Sequence, residues 1–277
     1  MHGDVDRAYV LARRVLLDAL GALADHIDAV ILVGAQAIYL QVGEGDLHVA
    51  PYTTDGDLAL NRDALADDPT LGSLMEAAGF RLAGSDVGAW IGADGVAIDL
   101  MVPEIQGGPG RRGARLGAHG NTVARKARGL EAALVDHAPR TIAALDPADS
   151  RQMTVAVAGP TALLVAKLHK LYERRDNPSR LDNKDALDVY RLLQAVPTET
   201  FGETVLTLLQ DDRSREVTRL GLSHLHELFG TPEALGAHMA GLGVELLDDP
   251  ARVAASCAYL AEDLLAAVAS HHSGPDT

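Results

Sequence analysis

Residue 159 separates two kinds of patterning, and that break constrains the fold more than any other feature of the chain. Before it, AVILVG (29–34), GDLALN (56–61), GVAIDLMV (95–102) and MTVAVAG (153–159) read as strands. Interleaved with them, residues 5–23, AQAIYLQV (35–42) and LGSLMEAAGF (71–80) carry apolar side chains at helical spacing. Short strands are expected near 80–82 and 89–91. After the break every segment reads as helix. TALLVAKLHKLYERR (161–175) follows a Gly-Pro pair suited to a helix start, and KDALDVYRLLQA (184–195) follows a polar loop. Val253, Cys257, Leu260, Leu264 and Val268 mark one apolar stripe near the end. The pattern predicts an α+β chain in two parts, 1–158 and 159–277.

At 277 residues the chain has room for both. Apolar residues make up 47% and aromatics only 4%, so Leu, Val, Ile and Ala must fill the core. The single cysteine, Cys257, excludes an internal disulfide and a thiolate metal site. No unbroken apolar run approaches the ~18 residues of a membrane span, and the charged start MHGDVDRAYV lacks a signal-peptide core. A cytoplasmic protein with no membrane partner is expected. The formal charge of −15 disfavours nucleic acid over most of the surface. Residues 105–130 are the exception. They hold no Asp or Glu, but contain Arg111, Arg112, Arg115, Arg125, Lys126 and Arg128. The glycines in GGPGRRGARLGAHG predict a mobile segment, either a solvated basic loop or a surface for RNA phosphates.

Asp55 and Asp57 stand one residue apart in TTDGDLAL (53–60). On a strand, residues i and i+2 share a face, so the two carboxylates converge and each raises the other's pKa unless a cation intervenes. Oxygen ligands select a hard ion, Mg²⁺ or Mn²⁺. The competing reading is a solvated turn. Asp99 sits mid-strand between Ile98 and Leu100. It is either an edge-strand carboxylate facing water or the third member of a metal site on neighbouring strands.

The order of VGAQAI (33–38), TDGDLAL (54–60) and AIDLM (97–101) resembles the nucleotidyltransferase superfamily: a strand, glycine turn and helix, then a strand bearing two aspartates, then a third acidic strand. The chain is most similar to the AbiEii-like, or MenT-like, nucleotidyltransferase toxins. Two later signatures extend the resemblance to Leu193, Lys167 in LLVAKLHKLYERR and Arg180 with Asp185 in RLDNKDALDVYRLL. The resemblance implies a nucleotidyltransferase-type mixed sheet followed by an all-helical domain that completes the nucleotide site. It implies Asp55, Asp57 and Asp99 as metal ligands, and these with Lys167 and Asp185 as catalytic residues. Gly34, Ala35, Lys167 and Arg180 would bind the nucleotide. Asp185 either supports Lys167 or touches the nucleotide or metal, and Asp182 competes for that place. Ala35 departs from the family's Gly or Ser, so only backbone N–H groups at the helix start are expected to meet a phosphate there.

The activity that the resemblance implies is transfer of an NMP from an NTP to an RNA acceptor, with a tRNA 3′ end expected, in a toxin countered by a cognate antitoxin. Two alternatives stay open: a small-molecule or protein acceptor, and a degenerate binding module of the same fold. His224, His226 and Glu227 in SHLHEL are not read as a metal cluster, because i and i+2 do not share a helix face. Trp90 and Cys257 are expected in the core.

Overall fold

The computed structural model describes residues 7–43, 53–84, 86–244 and 247–272. Its architecture is α+β, with a mixed open sheet and a helical C-terminal part. The first helix, α1 (Arg7–Ala22), leads to β1 (Val30–Val33), α2 (Gly34–Val42) and β2 (Asp55–Leu60). Then come α3 (Leu71–Ala77), β3 (Arg81–Leu82), β4 (Ala89–Ile91), β5 (Ala97–Pro103), β6 (Arg125–Ala127), β7 (His137–Ala143) and β8 (Gln152–Ala158). The sheet runs β3-β4-β5-β2-β1-β8-β7, with β6 joining β5 beyond the end of β4. All four residues of β1 are buried, as a strand paired on both sides requires.

Two strands lie outside the sequence reading. The β7 segment HAPRTIA has mostly exposed side chains and contains Pro139, which is tolerated because β7 is an edge strand. Three-residue β6 lies in the basic segment that was expected to be mobile. Instead, Ala114 N–H donates to Ala124 O, Arg115 N–H to Gly107 O and Lys126 N–H to Arg112 O. The buried Glu131 carboxylate ties the segment's two ends by accepting from the Ile105 and Gly129 N–H groups. These bonds give the glycine-rich segment a defined backbone path.

Beyond Gly159 the described elements are helical: α4 (Pro160–Arg174), α5 (Asn183–Ala195), α6 (Thr198–Gln210), α7 (Arg215–Phe229), α8 (Leu235–Leu242) and α9 (Pro250–His272). Helix α4 begins with Pro at its first turn, and the Asp136 carboxylate accepts from Ala162 N–H, capping a helix whose own N-cap is glycine. One continuous apolar cluster runs from α1 through the sheet into α4, α5 and α9.

Of the expected stripe of α9, Val253, Cys257, Leu264 and Val268 are buried against α5, α6, α7 and α8, and Leu260 is half-buried. Burial pushes the Cys257 thiol up to about 12, which suits an inert packing role. By length and composition alone Pro250–Ser270 is apolar enough to cross a membrane, with a mean hydropathy of 1.4. A core helix passes the same test, and the buried stripe of α9 fits one equally well. Trp90 is fully buried and donates to Val123 O.

Candidate functional site

Side-chain alternation decides which face of the sheet carries the carboxylates. A Cβ at Gly56 would meet Ile98 and Leu16, so Gly56 and Ile98 face α1. Asp55, Asp57 and Asp99 therefore face the opposite side, where α2 and α4 lie. Strands β2 and β5 pair in parallel with Asp57 directly beside Asp99. The structure thus brings the three sequence-predicted aspartates together on one face.

Electrostatics registers that proximity. Desolvation, then Asp55, then Asp99 push the Asp57 carboxyl up to about 6. Each outer carboxylate has a local partner: Thr53 Oγ1 donates to Asp55 Oδ1 at 2.7 Å, and Arg125 bonds Asp99 Oδ2 at 2.9 Å. Among the described residues no group of three or more His, Cys, Asp or Glu is already gathered for a metal ion. The all-oxygen donor set and the under-neutralised Asp57 fit a hard divalent ion, provided Asp99 exchanges its arginine for it.

Gly34 makes the site possible. It opens α2 with φ at +69°, in the left-handed region, and an added Cβ would fall on the Asp57 carboxylate. Gly34→Ala is expected to displace that carboxylate and add about 1 kcal/mol of backbone strain. A melting temperature and Mg²⁺ affinity equal to wild type would contradict it.

A cleft of about 340 Å³ between the sheet and α4 is lined by Asp57, whereas Asp55 and Asp99 are not among its lining residues. Val33 and Gly34 line it together with Asp57. Eight basic side chains and the acidic Asp57, Glu104 and Glu173 line it, reversing the sign of the chain's overall charge. Four of the basic groups come from the sequence-predicted RNA segment: Arg111, Arg125, Lys126 and Arg128. That set was read as lacking acidic neighbours, yet Arg125 pairs with Asp99 and Arg128 with Glu104. Arg112 and Arg115 are exposed and are not among the cleft-lining residues.

The remaining four basic groups come from the helical part. Lys167, Lys170 and Arg174 follow one another along α4, and Arg180 precedes α5. Lys167 lines the cleft, but its ammonium is held between Asp185 at 2.6 Å and Asp188 at 2.8 Å. Burial alone would lower its pKa, and the two aspartates outweigh burial and hold it above the usual lysine value. Asp185 also accepts from Lys170 at 2.8 Å, so these cations, against the cost of burial, keep it below the usual carboxylate range. Asp185 therefore supports the lysines of α4. Asp182 is the N-cap of α5, accepting from Lys184 N–H.

Sequence reasoning missed a buried relay behind the site. Arg13, 3% exposed, donates to Gln36 Oε1 at 2.7 Å, and Gln36 donates to the Asp55 carbonyl at 2.9 Å. Tyr39, one turn after Gln36 on α2, meets Arg191, which holds Asp188 at 3.0 Å. Helix α2 thereby ties the aspartate strand to the lysine helix. The only sequence signal was a pair of polar side chains three apart in AQAIYLQV. His224 stacks on Tyr172 at 3.6 Å between ring centroids.

No family model matches this chain, and no match to a curated protein reaches significance.

Proposed function

We propose that this chain is a nucleotidyltransferase of the AbiEii-like, or MenT-like, type, moving an NMP from an NTP to a tRNA 3′ end with the help of Mg²⁺ or Mn²⁺. The observation that carries this reading is one basic-walled cleft whose lining includes Asp57, the carboxylate in register with Asp99 on the neighbouring strand. A triphosphate bridged by divalent cations needs that polarity, with anions to hold the metal and cations to hold phosphate oxygens. The nucleotidyltransferase-type fold and its helical second domain belong to the same proposal. So do a cytoplasmic setting and a cognate antitoxin, which rest on the resemblance of the motifs.

Asp55, Asp57 and Asp99 would hold the divalent cation. When bound, it would neutralise phosphate charge and lower the pKa of the attacking hydroxyl. Lys170, Arg174 and Arg180 would grip phosphate oxygens along the wall, with Lys167 between Asp185 and Asp188 holding the two helices that carry them in place. Backbone N–H groups of Gly34 and Ala35, at the start of α2, would meet a phosphate next to Asp57. Exposed Arg112 and Arg115, outside the cleft, would track the acceptor's backbone.

A second reading keeps the chemistry and changes the acceptor. Glu104 and Glu173 line the same cleft, and their charge favours a cationic small molecule or a basic protein segment.

The test supplies each α-labelled NTP in turn with total tRNA and Mg²⁺. One label is expected to move to tRNA, and Arg112→Ala with Arg115→Ala is expected to depress that transfer and flatten its salt dependence. Transfer unaffected by the double change would remove Arg112 and Arg115 from the acceptor surface, and absence of label on tRNA would put the small-molecule or protein acceptor ahead.

A further inference from the structure

We propose that Arg125 is the resident counter-cation of Asp99, displaced when a divalent cation binds and thereby freed to grip an anionic ligand in the cleft. This exchange rests on the metal-dependent reading of the site.

Both Arg125 contacts fall on a single oxygen. Nη2 lies 2.9 Å and Nε 3.3 Å from Asp99 Oδ2. A guanidinium pairs most strongly when its fork meets both oxygens of a carboxylate, and this pair forgoes that arrangement. The two side chains are 32% and 30% exposed, so water can replace either partner as they separate. The backbone is fixed on both sides. Arg125 lies on β6 beside Met101 of β5, and Gly113 bridges it from the other side. Exchange therefore needs only a rotation of the Arg125 side chain.

The position of Asp99 makes the exchange consequential. It stands in register with Asp57, whose carboxyl is crowded by anions, so a cation shared by the two must use the carboxylate that Arg125 now neutralises. Guanidinium and metal compete for that charge. Once released, Arg125 remains at the cleft wall with five N–H donors in a geometry suited to phosphate. Metal and phosphate should then bind with positive coupling, each favouring the state in which Arg125 has left Asp99.

The test titrates the full chain with Mn²⁺ alone, reading free Mn²⁺ by its paramagnetic signal, for wild type, Arg125→Gln and Arg125→Lys. Arg125→Gln removes the competing charge and is expected to bind Mn²⁺ about fivefold more tightly, the scale of a partly exposed ion pair. Arg125→Lys retains the charge and is expected to bind more weakly than the glutamine variant. With Mn²⁺ saturating, pyrophosphate is expected to bind Arg125→Gln less tightly than wild type. Equal or weaker Mn²⁺ binding by Arg125→Gln, with wild-type binding intact, would overturn the exchange and leave the nucleotidyltransferase reading standing. Absence of Mn²⁺ binding in all three proteins would overturn both.

Discussion

Replacing Lys167 with methionine is expected to lower folding stability by about 3–5 kcal/mol, the cost of removing one partner from a buried charge network. The side chains of Asp185 and Asp188 are 4% and 0% exposed, and Lys167 bonds both. Without it, Asp185 keeps Lys170 and Asp188 keeps Arg191, but two anions face each other across the vacated ammonium site. Denaturant unfolding measures the loss. Adding Asp185→Asn should recover part of it, because the second change removes one of the stranded charges. A lysine that merely waited for triphosphate would behave otherwise, with wild-type stability and weakened nucleotide binding only.

Asp57→Asn is expected to do the reverse to the metal-free protein while abolishing transfer. The folded Asp57 carboxyl titrates near 6, above its ordinary 3.8, so folding takes up a proton at this position. That contribution is complete below about pH 4 and is lost as pH rises through 6, where Asp57 must ionise beside Asp55 and Asp99. At pH 8 with chelator present, the asparagine variant should be more stable than wild type by on the order of 2–3 kcal/mol, and at pH 4 the two should converge. Mg²⁺ should stabilise wild type more than the variant. A variant less stable than wild type at pH 8 without metal would mean that the three carboxylates do not repel one another.

Period-two alternation within TTDGDLAL and AIDLM placed Asp55, Asp57 and Asp99 on one face, and the parallel pairing of β2 with β5 needed only the two strands to be neighbours. Burial of Cys257 and Trp90 was legible in the same way, from apolar spacing. The relay through Arg13, Gln36, Tyr39 and Arg191 was not legible. Its members lie on α1, α2 and α5, and each alone passes for an ordinary polar residue on an amphipathic helix. The partners of Lys167 were half legible. Asp185 was picked out by its motif, whereas Asp188 was assigned no role. Burial at the interface of α4 and α5 makes it a core anion, and a burial pattern set by tertiary packing leaves little trace in local spacing.

The proposed transfer at the α-phosphate, in a cleft that sets Asp57 against a basic wall, is open to a direct measurement. One NTP, labelled either at its α- or its γ-phosphate, is incubated with the protein, Mg²⁺ and tRNA. The expected result is α-label joined to tRNA, γ-label released in pyrophosphate, and neither event with Asp57→Asn. Transfer of the γ-label to any acceptor, or α-label transfer that survives Asp57→Asn, would contradict it.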